Sequence, residues 1–139
     1  MRIRVARPAD AEPVVGFDHV ARADAGRRAF IHESIEAERC FVCVEGDEVI
    51  GYGVLDYTFF RQGSVDMLYV HLDHRRKRAG SALMQHMETL CRTEKLWTST
   101  NLSNLPMQSL LAKRGYKLSG VIHNLDPGDP ELVYVKLLG

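Results

Sequence analysis

Alternating apolar and polar positions mark most of the predicted strands in this chain, and helical periodicity marks the segments between them. Residues 3–7 (IRVAR) alternate as in a β-strand, and Pro8 with Asp10 supplies a strand stop followed by a helix N-cap. Helical patterns then cover about residues 11–20 and 27–38. The first part of the chain is therefore predicted to hold one strand and two helices.

A β-hairpin is predicted next. The apolar run 41–45 (FVCVE) is followed by the two-residue turn 46–47 (Gly-Asp) and by a second run, residues 48–60. Gly51 and Gly53 interrupt that second run, where glycine weakens a strand unless another group must approach the backbone closely.

The remainder of the chain continues to alternate between strand and helix patterns. The further predicted elements are a strand over 64–72, a helix from 79 to about 94, a strand over 96–101, a helix from 106 to 114, and strands over 116–124 and 131–138. The order β-α-α-β-β-β-α-β-α-β-β predicts a single α/β (α+β) domain, residues 1–139. Its sheet is mixed, mostly antiparallel, with about six to seven strands flanked by about four helices.

Charge and composition narrow the classes of function. The chain carries 18 basic and 18 acidic residues, so no overall field attracts nucleic acid or acidic lipid, and any anion must be bound locally. No apolar run approaches the roughly 18 residues of a membrane span. The first residues, MRIRVARPADAEP, lack the apolar core of a signal peptide. We therefore expect a cytoplasmic protein without a membrane or nucleic-acid partner.

Two short groups of potential metal ligands are interpreted as structural. Cys40 and Cys43 lie in a β-like run, where residues three apart point to opposite faces, and no second Cys/His pair has suitable spacing. His71 and His74 flank Asp73 in what is more simply a solvated loop. We expect buried thiols and no metal.

A concentration of positive charge lies where the strand 64–72 leads into the next helix. Residues 75–78 are four consecutive cations, and the small residues Ala79 and Gly80 follow them. A helix N-terminus offers unpaired N–H groups and the positive end of the helix dipole to a phosphate. Small residues let the phosphate approach the main chain, and the cations add charge-assisted hydrogen bonds. The turn is predicted to hold a pyrophosphate, although it contains neither a GxxxxGK(S/T) nor a GxGxxG string.

These segments resemble the GNAT superfamily of acyl-CoA-dependent N-acetyltransferases. The family signature Arg/Gln-x-x-Gly-x-Gly/Ala is matched by Arg75 and Gly80, with Arg78 at the first glycine position. Residues 100–116 (TNLSNLPMQSLLAKRGY) resemble the family run N-x-x-A-x-x-L-Y-x-K-x-G-F/Y. The residues that carry this second match are Asn104, Leu110, Lys113, Gly115 and Tyr116. The predicted element order is similar to that of the family along essentially the whole chain.

The resemblance implies acetyl-CoA as co-substrate. Its pyrophosphate would be held by backbone amides of residues 75–80, its pantetheine arm by the main chain near Leu68 and Val70, and its 3′-phosphate by one of the extra cations. Asn104 would lie close to the pantetheine. The cofactor-binding residues so implied are Leu68, Val70, Arg75, Arg76, Lys77, Arg78, Ala79, Gly80, Ser81 and Asn104.

Two positions depart from the family pattern. Arginine at position 78 must adopt left-handed backbone geometry at a steric cost or take another conformation, whereas glycine would adopt it freely. Leu111 occupies the place where many family members carry a tyrosine that protonates the departing thiolate. The general acid is therefore absent from its usual position.

Acetyl transfer needs a neutral amine, a polarised thioester carbonyl and a proton for the leaving sulfur. The candidate base is Asp66, on the strand before the cationic turn, and a backbone N–H near residues 68–70 is the family-like oxyanion donor. Tyr69, Ser109 and Tyr134 are candidate acids, and protonation by water is an alternative. For each of these side chains, ordinary packing or solvent exposure is the alternative interpretation.

Two groups of residues are candidates for the acceptor site. Phe59, with the other aromatics of residues 57–60, would wall a pocket or else pack in the core. Asp129, within the acidic turn 126–131, would attract a cationic amine or else lie in a solvated hairpin tip.

The sequence thus predicts an N-acetyltransferase that transfers an acetyl group from acetyl-CoA to a primary amine of a small molecule or peptide. The amine would attack directly in a ternary complex. The alternative is a CoA-binding sensor or interaction domain with impaired catalysis, suggested by Arg78 and Leu111. A nucleic-acid-binding module is disfavoured by the neutral charge and by the absence of aromatics among the cations. By analogy with the family, a homodimer is consistent with this interpretation.

Overall fold

The computed structural model describes residues 1–75 and 77–139, which form seven strands and five helices. The strands are β1 (Arg2–Val5), β2 (Cys40–Glu45), β3 (Glu48–Phe59), β4 (Gln62–Val70), β5 (Lys95–Asn101), β6 (Lys117–Ile122) and β7 (Glu131–Leu137). The helices are α1 (Ala11–Phe17), α2 (His19–Ala23), α3 (Ala25–Glu36), α4 (Ala79–Leu90) and α5 (Leu105–Lys113). None of these described helices is long and apolar enough to cross a membrane.

The strands form one sheet in the order β1-β2-β3-β4-β5-β7-β6. β4 and β5 run parallel, whereas β1–β2, β2–β3, β5–β7 and β6–β7 are antiparallel. The predicted mixed, mostly antiparallel sheet with flanking helices is confirmed, with five helices instead of about four.

The chain divides into two compact units. The first unit comprises Met1–Leu55 and Met67–Thr89, and the second comprises Asp56–Asp66 and Leu90–Gly139. In the first unit, helices α1 and α3 and strands β2 and β3 supply a core that includes Val14, Ile31, Val42 and Tyr52. In the second, β5 pairs with β7 along its whole length, from Lys95 opposite Leu137 to Asn101 opposite Glu131.

The predicted helix over residues 11–20 is in fact two helices, because Asp18 interrupts it. The Asp18 backbone is extended, and its carboxylate accepts hydrogen bonds from the N–H groups of Val20 and Ala21, which starts α2. Asp24 starts α3 in the same way, by accepting from the N–H groups of Gly26 and Arg27. Helical periodicity is continuous across Asp18, so the pattern alone did not separate α1 from α2, whereas Asp24 lies between the two predicted helices.

The expected N-cap at Asp10 is wrong. Asp10 immediately precedes α1, but its side chain makes no cap hydrogen bond to that helix. Its carboxylate instead accepts from Arg4 at 2.7 and 3.0 Å and from the backbone N–H of Arg7 at 2.7 Å. The side chain therefore ties β1 to the segment before α1.

Two buried aspartates make the fold sensitive to acid. Hydrogen bonds from Arg4 hold the pKa of Asp10 below its usual value. At Asp18, burial by itself raises the pKa, but the hydrogen bonds from Tyr52 and the Ala21 N–H and the charge of Arg27 outweigh it and lower the pKa. Because the unfolded chain then binds these protons more tightly, their stabilisation is complete above about pH 4 and is lost as the pH falls through the lowered folded values.

We expect the free energy of unfolding, measured by urea denaturation, to fall as the pH is lowered below about 4. An Asp10→Asn variant should lose less stability over the same interval, because one of the two titrating groups is gone. A wild-type stability that stays constant down to about pH 2.5 would contradict this account.

Gly51 and Gly53 are explained by the packing of α4 against β3. A Cβ atom at Gly51 would lie 3.2 Å from the carbonyl oxygen of Tyr69 and 3.3 Å from Leu83 Cδ1. At Gly53 it would lie 2.7 Å from Met87 Cε. The close approach predicted from these glycines is therefore that of a helix, and it fixes α4 against the sheet.

Candidate active site

The turn from β4 into α4 brings together a charged loop and a helix N-terminus. Arg75 donates from Nε to the carbonyl oxygen of Val70 at 3.1 Å, so its exposed guanidinium lies back along the end of β4. Lys77 and Arg78 are exposed, whereas the predicted cofactor residue Arg76 lies outside the described residues. α4 then begins at Ala79, whose side chain is buried.

The first turn of α4 can receive an anion. The N–H of Ala82 donates to the carbonyl of Arg78 at 2.9 Å. The N–H groups of Ala79 and Gly80 precede this bond, so no carbonyl of the helix accepts from them. Both residues are small, as close approach of a phosphate to the main chain requires.

Arg78 adopts the left-handed conformation, with φ of +66°. Arg78, at the family's glycine position, therefore adopts the strained left-handed geometry and not another conformation. A non-glycine residue in this region costs roughly 1–2 kcal/mol, because its Cβ crowds the following carbonyl. The turn therefore keeps the geometry of a glycine while adding an exposed cation.

We expect Arg78→Gly to raise the free energy of unfolding by about 0.5–1 kcal/mol, because glycine has no Cβ to crowd the carbonyl. Urea denaturation of the two proteins measures the difference. Arg78→Ala is the matched control, since it also removes the cation but keeps the Cβ, and it should gain nothing. An equal gain in both variants would assign the effect to repulsion among the cations.

His71 and His74, which precede the cationic turn, contact groups of the polypeptide around them. The ring Nδ1 of His71 accepts the Asp73 backbone N–H at 3.1 Å. His74 lies between two carboxylates of the β2–β3 hairpin, 3.8 Å from Glu45 and 3.4 Å from Glu48. Across the described ranges 1–75 and 77–139, no group of three or more His, Cys, Asp or Glu side chains is arranged to hold a metal ion.

Cys40 and Cys43 are buried thiols. Burial, followed by the nearby Asp10 charge, raises the pKa of Cys40 to about 12.

Tyr69, the predicted acid, is a buried residue of β4 in the first unit. Its hydroxyl accepts the backbone N–H of His19 at 3.3 Å and also hydrogen-bonds the Nδ1 of His19. The ring stacks with Phe17 at a centroid distance of 6.1 Å, and the Arg75 guanidinium lies 5.2 Å from its centroid. Tyr69 thus connects the start of α2 with the cationic turn.

A buried carboxylate, that of Asp18, immediately precedes His19 in the chain. Asp18 is fully buried, and its Oδ2 accepts from the Tyr52 hydroxyl at 2.6 Å and from the Arg27 Nε at 2.9 Å. Burial and then the hydrogen bond to Asp18 raise the pKa of Tyr52, so the phenol stays protonated and donates. The Arg27 guanidinium in turn lies 5.9 Å from the Tyr69 ring centroid.

Sequence reasoning did not identify His19, Arg27, Tyr52 or Asp18 as site residues. The one local signal is Asp18 within an otherwise helical pattern, since aspartate favours helix starts over helix interiors. Nothing local links Asp18 to Tyr52, 34 residues away, or His19 to Tyr69, 50 residues away.

Asp66, the predicted base, is an exposed residue of β4 in the second unit. The hydroxyl of Ser64 donates to its Oδ1 at 2.9 Å. Asn104 is exposed at the start of α5, where its Oδ1 accepts the Met107 N–H at 3.2 Å as a helix cap. Leu111, at the family's tyrosine position, is fully buried.

The predicted acceptor residues separate into an apolar and a polar group within the second unit. Phe59 lies with its ring centroid 5.1 Å from that of Trp97, and both border an open, largely apolar cavity of about 410 Å³. Asp129 accepts from the Ser103 backbone N–H at 3.0 Å and from the Ser103 hydroxyl at 2.6 Å. This carboxylate ties the β6–β7 turn to the segment between β5 and α5.

The other two acids of that turn are engaged similarly. Asp126 accepts from the Asn101 side chain at 2.9 Å, and Glu131 accepts from the Ser99 hydroxyl at 2.6 Å. Because all three carboxylates accept hydrogen bonds from neighbouring segments, the acidic turn is better explained as a structural element than as a site that attracts a cationic amine.

The chain belongs to the acetyltransferase (GNAT) family, whose model matches residues 9–116. It is similar to an acetyltransferase of the GNAT family from Bacillus cereus ATCC 10987, with 30% identity and a TM-score of 0.91 over 98% of this chain and 96% of that one. No match was found among curated proteins.

More distant solved structures share the fold. The ribosomal-protein-S18-alanine N-acetyltransferase from Escherichia coli has 16% identity and a TM-score of 0.83 over 99% of this chain and 94% of its own. An aminoglycoside 6′-N-acetyltransferase complexed with coenzyme A has 15% identity and a TM-score of 0.82 over 100% and 98% of the two chains. The predicted family is confirmed, and an acyltransferase activity is consistent with it.

Proposed function

We propose that this protein transfers the acetyl group of acetyl-CoA to a primary amine of a small molecule or peptide, by direct attack of the amine in a ternary complex. The observation that carries the proposal is the turn 75–80, where exposed cations lead directly into the first N–H groups of α4. A multiply charged pyrophosphate fits this combination of helix dipole, small residues and cations. In an otherwise neutral protein, it accounts for the local excess of positive charge.

The cofactor residues named from the sequence fit one continuous segment of the first unit. The backbone N–H groups of Ala79 and Gly80 and the side chains of Arg75, Lys77 and Arg78 would hold the phosphates, and Ser81 completes the first turn of the helix. The main chain of Leu68 and Val70 at the end of β4 would bind the pantetheine arm. In the second unit, we retain Asn104 as a pantetheine neighbour by family resemblance alone.

When bound, acetyl-CoA supplies an activated thioester, and the chain must provide for two protons. Asp66 is retained as the proposed base because it is an exposed carboxylate on β4. Tyr69 is retained as the proposed acid because its hydroxyl is hydrogen-bonded to an imidazole that can return a proton. Leu111 is buried and not ionisable, so it cannot fill this role.

The names of two neighbours support an amine as acceptor, since one acetylates an alanine of a ribosomal protein and the other an aminoglycoside. The family match at 9–116 runs through residues of both units. This supports our proposal that residues 1–139 work as a single acetyltransferase domain.

Calorimetric titration tests the cofactor first. We expect acetyl-CoA and CoA to bind the wild type, and 3′-dephospho-CoA to bind more weakly if an extra cation holds the 3′-phosphate. Arg75→Ala should weaken acetyl-CoA binding about tenfold, because one charge-assisted contact to phosphate is lost. Arg92→Ala is the control, since this cation lies in the second unit against the Tyr57 ring and should leave the dissociation constant unchanged.

Transfer to a panel of amines then separates the two functions that share the cofactor. Acetylation of any amine supports the enzyme. Tight binding of acetyl-CoA without transfer to any amine would favour the sensor or interaction domain. Failure of all three cofactor forms to bind would refute both.

A further inference from the structure

We propose that the outer edge of the Arg27 guanidinium binds a carboxylate of the acceptor, so that the acceptor is an amine that also carries a carboxylate. This inference rests on the proposed function and specifies its substrate class. Three observations support it. They are the hydrogen bonds that hold Arg27, the surroundings of its terminal nitrogens, and the other charges around the ring of Tyr69, which Arg27 faces.

Arg27 is anchored by Asp18 and by the neighbouring Tyr52 hydroxyl, which also interacts with its side chain. Its Nε donates to Asp18 Oδ2 at 2.9 Å, and Asp18 is fully buried. The same carboxylate also accepts from the Tyr52 hydroxyl and from two N–H groups of α2, so both of its oxygens are occupied. Asp18 therefore fixes the plane of the guanidinium, and its carboxylate cannot accept a further hydrogen bond.

The two terminal nitrogens of Arg27 form the outer edge of the guanidinium. Among the described residues, no acceptor within 3.5 Å takes a hydrogen bond from Nη1 or Nη2. The Arg27 side chain is 20% exposed, so part of it reaches solvent. The outer edge of a guanidinium presents two parallel N–H donors, which match the two oxygens of a carboxylate.

The Tyr69 ring separates the outer edge of Arg27 from the proposed acetyl-CoA site, and all of these residues belong to the first unit. The Arg27 Cζ is 5.9 Å from the centroid of the Tyr69 ring. Tyr69 lies between Leu68 and Val70, whose main chain we propose binds the pantetheine arm. A small acceptor held at Arg27 could therefore place its amine towards the end of β4.

The charges around the ring favour an anionic group. Arg75 lies 5.2 Å from the same centroid, and the imidazole of His19 hydrogen-bonds the hydroxyl of the same tyrosine. Asp18, the carboxylate that pairs with Arg27, already accepts hydrogen bonds on both of its oxygens. A polycationic amine would be repelled, whereas a carboxylate would be attracted.

The same cations assist the nucleophile. An amine must be neutral to attack, and nearby positive charge lowers the pKa of an ammonium group by disfavouring its charged form. An acceptor that binds through its carboxylate would therefore be both anchored and more easily deprotonated.

The test compares matched acceptors and matched variants. The acceptors are glycine, β-alanine and 4-aminobutyrate, the corresponding carboxamides, and the dipeptides Gly-Asp and Gly-Asn, which distinguish a free amino acid from an acidic peptide. Arg27→Lys keeps a cation for Asp18 but removes the planar outer edge. Arg28→Lys is the control, because Arg28 lies on the same helix and donates instead to the carbonyl groups of Ala21 and Arg22.

We expect the wild type to acetylate one carboxylate series with kcat/KM at least about tenfold above its amide, the factor expected for one bidentate charged contact. Arg27→Lys should abolish that preference while the dissociation constant of acetyl-CoA stays unchanged, and Arg28→Lys should retain it. Equal use of acids and amides by the wild type would overturn the inference. A weaker cofactor complex with unchanged acceptor preference in Arg27→Lys would also overturn it, since the guanidinium would then serve acetyl-CoA.

Binding of the products keeps the inference testable without turnover. N-acetylglycine, N-acetyl-β-alanine and their amides are titrated into the wild type and Arg27→Lys. Preferential binding of the acids by the wild type alone, with no acetylation of any amine, would refute the proposed function and support the carboxylate site. Absence of any such preference would refute the site whether or not the protein is an enzyme.

Discussion

Replacement of Asp18 by alanine is expected to lower the free energy of unfolding by about 3–5 kcal/mol, the usual cost of removing one partner from a buried ion pair. The variant leaves the Arg27 charge, with a side chain only 20% exposed, without its counterion. It also leaves the Tyr52 hydroxyl without its acceptor and α2 without its cap. Urea denaturation at neutral pH measures the loss.

Asp24→Ala is the matched control for this prediction. Asp24 caps α3 through two N–H groups, as Asp18 caps α2, but it is exposed and has no side-chain partner among the described residues. Loss of such a cap costs about 1 kcal/mol. If both variants lose the same amount, the buried pair contributes nothing beyond the cap, and our account of the Asp18 site is wrong.

Leu111→Ala is expected to destabilise the protein by about 2–5 kcal/mol, the range for truncating a buried leucine. Leu111 is 0% exposed, and the cavity left behind would remain in the second unit around α5. Leu105→Ala on the same helix is the control, because Leu105 is 68% exposed. Its effect should stay within about 0.5 kcal/mol, and an equally small effect at Leu111 would contradict the assigned burial.

Restoring the family tyrosine at this position should not be neutral either. Since Leu111 has no exposed surface, Leu111→Tyr must displace its neighbours, which typically costs about 1–3 kcal/mol. A comparison of turnover must therefore be made under conditions where denaturation shows the variant to be folded. Higher turnover per folded molecule would show that the wild type lacks an acid.

Local pattern was sufficient for most elements and for the cationic turn. Period-two alternation and the turn at 46–47 placed the β2–β3 hairpin, and small residues after the cations placed the start of α4 at Ala79. These features depend on neighbours a few residues apart, so that backbone propensity and side-chain periodicity record them directly. The helix break at Asp18 was missed because apolar periodicity continues through it, whereas Asp24 lies between the two predicted helices.

From the sequence alone, the family and most of the element order could be predicted, and a cationic segment could be proposed to hold the cofactor. The tertiary structure was needed to show that the buried Asp18 binds both Arg27 and Tyr52, and that the Asp129 carboxylate accepts hydrogen bonds from Ser103. The reason is physical. A carboxylate becomes a structural counterion, a cap or a binding group according to which donors surround it, and those donors come from distant parts of the chain that the fold alone brings within hydrogen-bonding distance.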